Sequence, residues 1–285
     1  VVIPAAAKLA DIKCIDGVLV ASNIGMTTDN AAGHTKKLRL YAWENDNAKP
    51  YLLFETDDFQ GATRMGDCLE MTGNFKTDCW FAFAQDYNNQ TRIVEYNRKD
   101  GAWSAKSTPV FDKAGKALRA MATIRAYPKG TGWWIDGKNS VPAWVTWDDG
   151  LKGAKAQCYS LDGDIQRGSC HHEFYWKGQK YAANLVFPDA SGANARMRII
   201  QDNAGDFSNT SEIGKYPSDG LGDDANSNGT GDIMINTDGQ TYLEAWVLST
   251  NQGLAYFTTG NVPSQSPAPV NPDDVTETNP VISAN

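Results

Sequence analysis

The chain has 285 residues, a formal net charge of −8, 41% hydrophobic and 21% charged residues, which supplies an apolar core and excludes a disordered polyelectrolyte. A nucleic-acid binder is excluded as well, since the chain is acidic without a Lys/Arg cluster and that affinity rests on neutralising phosphates. No apolar run approaches the roughly 20 residues of a membrane helix, so no transmembrane segment is predicted.

In chain order, Val1-Val2-Ile3-Pro4 opens without Met, basic n-region or h-region, which we read as a mature product whose export signal, if any, is gone. Five segments then repeat one order: an apolar strand ending near an aromatic, a polar linker, a basic residue, and a new strand three residues on. They run from Val2-Ile3 to Asp11, from Leu53-Phe54 to Asp67, from Val110-Phe111 to Ala122, from Cys158-Tyr159 to Cys170 and from Tyr216 to Asp232. The last residues of these segments are spaced by 56, 55, 48 and 62 positions, a period that belongs to propeller blades or helical arrays.

Strand patterns decide between the two. The second unit shows short β-rich segments at 66–72, 79–86, 91–98 and 102–111, separated by Gly73-Asn74, Asn88-Asn89 and Asp100-Gly101, each a hairpin signal. The third shows Met121–Tyr127, Gly132–Asp136, Pro142–Trp147 and Lys155–Leu161, and the fourth His171–Trp176, Lys180–Phe187, Ala195–Gln201 and Glu212–Tyr216. The fifth has Ile233–Asn236, Gln240–Leu248 and Leu254–Thr258 but no fourth strand before its Pro-rich tail. No window carries a 3.6-residue apolar period. These features predict an all-β chain folded as a single five-bladed β-propeller with four antiparallel strands per blade. The predicted blades lie at 9–56, 64–111, 119–161, 169–217 and 229–258. Residues 1–4 are the spare strand that closes the ring beside the last blade, covering an exposed sheet edge. Residues 259–285 are an extended tail.

Alignment of the units places Lys8, Arg64, Arg119 and Arg167 at one position, with Gly229 as the exception. Such a ring of cations at a channel mouth would attract an acidic ligand; the alternative is that each stacks on or pairs with a neighbour as a staple. Asp11, Asp67 and Asp232 share a second column. They are candidate glycosidase carboxylates if two of them are suitably spaced and one holds its proton, and otherwise caps of strand-entry turns. Asp224, Asn226, Asn228, Thr230 and Asp232 alternate through a Gly-containing loop, the oxygen spacing of a Ca²⁺ site and equally that of an Asx-rich connector bonding its own backbone. His171-His172-Glu173 is read as structural, because adjacent strand residues face opposite ways. Of Trp133, Trp134, Trp144 and Trp147, most are read as inter-blade core and one as free to stack on a sugar. The five cysteines form no CxxC pair; Cys14, Cys68 and Cys170 recur at similar points of the repeat and are read as core residues.

The phrases Leu40-Tyr41-Ala42-Trp43-Glu44-Asn45-Asp46, Leu53-Phe54-Glu55, Asn228-Gly229-Thr230-Gly231-Asp232, Thr241-Tyr242-Leu243 and Thr250-Asn251-Gln252-Gly253-Leu254-Ala255 resemble those of uncharacterised secreted or lipid-anchored propellers of Bacteroidota. The loop at Asp224–Asp232 also resembles the calcium loops of integrin-type propellers. The first resemblance implies an extracytoplasmic setting, in the periplasm or on the outer-membrane surface, with a lipid anchor before processing. The expected function is non-catalytic binding of a glycan, an acidic ligand or a protein partner at the channel mouth, as a monomer or within a surface complex. The alternative is a glycoside-active enzyme using the Asp column.

Overall fold

A β-rich chain punctuated by Asx-Gly pairs folds by hairpins, and the computed structural model shows how far that logic extends. It describes residues 8–28, 35–45, 47–87, 89–119, 123–126, 132–136, 142–159, 164, 171–227 and 229–260. The first unit contains β1 (Leu9–Ile15), β2 (Val18–Asn23), the short β3 (Gly25–Met26), β4 (Leu38–Trp43) and β5 (Tyr51–Thr56). After β6 (Arg64–Met65) comes the second unit, β7 (Glu70–Asn74), β8 (Asp78–Tyr87), β9 (Gln90–Lys99) and β10 (Ala102–Phe111). The third is β11 (Thr123–Ala126), β12 (Trp133–Asp136), β13 (Ala143–Asp148) and β14 (Gly153–Cys158). The fourth is β15 (His171–Trp176), β16 (Gln179–Val186), β17 (Arg196–Asp202) and β18 (Thr210–Tyr216), and the fifth is β19 (Gly231–Thr237), β20 (Leu243–Ser249) and β21 (Gly253–Thr259). A single 3-10 turn at Asp149–Leu151 is the helical content among the described residues.

Each unit is an antiparallel meander. The orders are β1-β2-β4-β5, β7-β8-β9-β10, β11-β12-β13-β14, β15-β16-β17-β18 and β19-β20-β21, while β3 pairs with β6. One feature departs from isolated blades: β10 pairs in parallel with β14 through Val110–Ala154 and Phe111–Lys155, which merges the second and third units into an eight-stranded sheet. The turn at Asp100-Gly101 has φ of 50° and 83°, the left-handed pair of a two-residue hairpin. The predicted Gly73-Asn74 turn lies two residues later, because Asn74 Oδ1 accepts from the amides of Lys76 and Thr77. Gly73 itself stays in β7. Gly66 has φ of 104°, and a Cβ there would stand 1.9 Å from the Asn23 carbonyl oxygen, so the crossing from β6 to β7 admits only glycine.

Alternation along each strand assigns side chains to two packing layers. Phe81 and Phe83 of β8 pack toward the first unit with Val20, Leu40, Met65 and Tyr96. Ala82 and Ala84 on the opposite face pack toward the third with Val110, Trp133, Ile135 and Val145. The fourth and fifth units share Phe174, Leu185, Met197, Ile233, Ile235 and Val247. These three layers are built mainly from apolar side chains, with Glu95 buried in the one between the second and third units, and each buried large apolar side chain contributes about 1.5–3 kcal/mol. The layer between the third and fourth units differs: Trp134, Trp144, Tyr159, Ala182, Ile200 and Phe207 pack there around buried charges described below. The first strands β1, β7, β11, β15 and β19 follow one another as neighbours, and Lys13 Nζ of β1 lies 3.3 Å from Asp232 Oδ2 of β19.

Cys14 is exposed and Cys68 partly so, whereas Cys79 is buried; the core reading therefore fails for Cys14, whose strand turns that position outward. Burial pushes the Cys79 thiol up to about 12, which keeps it protonated and inert. Cys170, Ala122, Val1–Ile3 and residues 261–285 lie outside the described residues.

Candidate functional site

The carboxylate column is brought together only in part. Asp11 accepts from its neighbour's amide at Ile12 through Oδ1 and from the Leu69 amide through Oδ2, both within 2.9 Å. Lys13 Nζ stands 3.4 Å from Asp11 and 3.3 Å from Asp232. One lysine thus ties the inner strands of the first and last units, and Asp11 adds the start of β7. Asp67 is held by Arg64, whose Nε donates to Oδ2 at 2.7 Å and whose Nη2 donates to Oδ1. Each of the three carboxylates is therefore tied to a cation, and Asp11 to two amides as well. Replacing Lys13 by Met should cost about 1 kcal/mol, the scale of a part-exposed pair, read as a lower urea midpoint at unchanged m-value.

The cation column is likewise engaged locally. Arg64 serves Asp67, and Arg119 donates to Asn89 Oδ1. Lys8 lies exposed just before β1, and Arg167 is outside the described residues. Arg64 thus pairs within its own loop, and Arg119 reaches the turn between β8 and β9.

In the Asx-rich loop, Asn226 is buried, and its side chain is spent on the loop. Its Nδ2 donates to the Thr230 carbonyl at 2.6 Å and to Ser249 Oγ at 3.0 Å, while its Oδ1 accepts from the Thr230 amide at 3.1 Å. The Thr230 carbonyl also accepts from the Thr250 amide. Asp224 is exposed, Asp232 turns to Lys13, and Asn228 lies outside the described residues. These contacts are those of the self-bonded connector, and among the described residues no cluster of three or more His, Cys, Asp or Glu is placed to hold a metal.

A second cluster escapes the sequence columns. In β15–β17 the cross-strand rows run His171–Asn184–Arg198, Glu173–Ala182–Ile200 and Tyr175–Lys180–Asp202. Residues two apart on a strand share a face, so His171, Glu173, Lys180, Arg198 and Asp202 occupy one side of the fourth sheet, and His171, Glu173 and Lys180 meet Trp134, Trp144 or Asp136 of the third. Lys180 Nζ lies 3.3 Å from Asp202 and 3.6 Å from Glu173, whose carboxylates are 0% exposed. It also donates to the Gly205 carbonyl at 2.9 Å and sits 4.3 Å from the centre of the Phe207 ring.

Asp202 Oδ1 accepts from the amides of Ala204, Gly205 and Phe207, a turn that fixes the Phe207 ring at the contact. His171 Nε2 is 3.7 Å from Asp136 Oδ2, and its ring stacks on Trp134 at 5.2 Å between centres. Burial pushes the Glu173 carboxyl up to about 8, against the pull of Lys180 and the Trp134 indole. Burial and the neighbouring Asp202, Asp206, Cys158 and Glu173 raise the Tyr159 hydroxyl as well. Two buried carboxyls thus share one lysine. Their enclosure keeps them from any substrate.

Trp133 and Trp134 are both buried, one in each adjacent layer. Trp147 is the exposed member, with Lys106 Nζ 5.3 Å from its ring centre.

No family model matches the sequence, and no curated protein matches it. Among solved structures, the chain is similar to a DUF4623 family protein from Bacteroides eggerthii, with a TM-score of 0.61 and 14% identity over 89% of this chain and 58% of that one. It is also similar to Trypanosoma rangeli sialidase in complex with 2,3-difluorosialic acid, with a TM-score of 0.51 and 13% identity over 87% of this chain and 45% of that one. A GH43_1 enzyme from Xanthomonas citri follows at a TM-score of 0.48, 11% identity and 87% and 90% coverage. The first two likenesses define a β-propeller-like fold. The chain spans little more than half of the Bacteroides protein.

Proposed function

We propose that the protein is a five-bladed β-propeller that binds a glycan at one mouth of its channel without cleaving it, in the periplasm or on the outer-membrane surface. The succession of first strands and the Lys13–Asp232 pair support a closed ring. The last sheet has three strands among the described residues, which leaves room for residues 1–4 as its fourth.

The observation that carries the functional reading is the pairing of the column carboxylates with Lys13 and Arg64, which leaves each of them tied to a cation. What the same strands offer instead is a mixed surface. Ile12 and Met234 are 44% and 53% exposed, on the strands joined by Lys13 and Asp232, and Asp232 is itself 47% exposed. Exposed apolar side chains on strands that also carry fixed polar groups suit the C–H face and hydroxyls of a sugar. The sialidase complex with a sugar analogue and the sugar-active character of that neighbour lend the reading its substrate class. An acidic ligand is less well served, because Arg64 is engaged by Asp67 of its own loop and Arg119 by Asn89 of the β8–β9 turn.

A glycan array probed with the intact protein should give saturable binding, weakened about tenfold (~1.4 kcal/mol) in Ile12→Asp without a change in melting temperature. An array without signals, together with capture of a protein ligand, would replace the glycan by a protein partner.

A further inference from the structure

Whereas the layer between the second and third sheets buries a single carboxyl among the described residues, Glu95, in apolar surroundings, the layer between the third and fourth sheets gathers a cluster of buried charges. Its carboxyl groups are Asp136 from β12, Glu173 from β15 and Asp202 from β17; its permanent cations are Lys180 from β16 and Arg198 from β17. Arg198 is fully buried, and its Nε donates to Asn184 Oδ1 at 3.3 Å. The other titratable groups facing the layer are His171 from β15, Tyr159 just after β14 and Asp206 in the turn after β17, while Cys158 packs on the opposite side of the third sheet. Glu173 and Asp202, whose side chains are 0% exposed, share the one Lys180 ammonium in a region closed to water. Buried charge is tolerated only when compensated. A proton supplies the compensation, and the carboxyl farthest from full pairing is Glu173: Lys180 is 3.6 Å away and nearer to Asp202, whereas Asp202 has three amides and Asp136 has His171.

We propose that this layer is a proton-held latch: one proton on Glu173 keeps the third and fourth sheets packed, and its loss in mild alkali loosens them from each other. The direction follows from linkage. A carboxyl whose proton is retained on folding makes the folded state bind more protons than the unfolded one between the two ionisations, so stability falls as pH rises through that window. Here the window runs from the ordinary carboxylate range up to about 8. An ionised Glu173 would also face Asp202 across a single lysine, and the strain falls on the contact of Trp134 with β15.

Thermal unfolding of the full chain and of Glu173→Gln, followed at pH 5, 7 and 9, tests the latch. Glutamine keeps the shape and cannot ionise. Midpoints that agree at pH 5 and separate by about 5 °C at pH 9, the wild type lower, are expected; parallel curves at all three pH values would overturn the proposal. Hydrogen exchange of the wild-type protein keeps the test decisive if the variant fails to fold. After correction for the intrinsic rate, protection in 133–136 and 171–176 should fall at pH 9 while 18–23 and 38–43 hold. Equal protection everywhere at both pH values would refute the latch.

Discussion

Lys180→Met should destabilise the protein by about 3–5 kcal/mol, the cost of removing one partner from a buried ion pair. The substitution keeps an unbranched apolar side chain and deletes the ammonium that lies over the Phe207 and Trp144 rings and that Asp202 faces at 3.3 Å. It also removes the donor to the Gly205 carbonyl, so the turn that presents Phe207 loses an anchor. Urea unfolding at pH 7 measures the loss, and a change below about 1 kcal/mol would show that water already shares the site. Lys180→Met combined with Asp202→Asn should recover part of the loss, because the stranded charge is then gone.

Trp134→Ala is the second large effect, at about 3–5 kcal/mol. Its ring touches those of Trp144, Tyr159, His171 and Phe207, with centres 4.8–5.6 Å apart, so its removal opens a void that four rings border and that no single neighbour can fill. Water entering that void would reach Glu173 and bring its ionisation back toward the ordinary range. The variant should therefore lose stability and also lose much of the alkaline sensitivity, which separates it from a simple cavity mutant. Melting curves at pH 6 and 9 read both quantities; a full alkaline decline in Trp134→Ala would mean that burial of Glu173 does not depend on this ring.

Strand positions were readable from local chemistry. In the second unit, the Asp100-Gly101 pair and β-branched alternation place β9 and β10 within a residue or so of Gln90–Lys99 and Ala102–Phe111, because hairpin register is set by the turn itself. The parallel join of β10 to β14 was not readable, since it links residues some 44 apart whose pairing no turn dictates.

The site columns show the same division. The repeat aligned Asp67 with Asp11 and Asp232, yet those two lie within β1 and β19 while Asp67 lies three positions before β7; alignment also says nothing about partners, and a cation three residues from a carboxylate found that carboxylate. Lys13, which joins Asp11 to Asp232, belongs to no column and gave no signal. The charged layer was missed because Glu173, Lys180 and Asp202 come from three strands and meet only through cross-strand register. The one available hint was His171-His172-Glu173: its adjacent pair points to opposite faces, while His171 and Glu173, two apart, share the buried one.

The central claim, that the mouth binds a sugar and leaves it whole, is tested most directly by recovering the bound glycan. A glycan that scores on the array is incubated with a slight excess of protein for a day at pH 6 and at pH 8, released by denaturation and weighed by mass spectrometry. The account predicts an intact glycan at one equivalent per chain at both pH values, in the wild type as in Asp11→Asn and Asp232→Asn. A shortened glycan or a released monosaccharide from the wild type, abolished in Asp11→Asn or Asp232→Asn, would contradict it and make the carboxylate column catalytic.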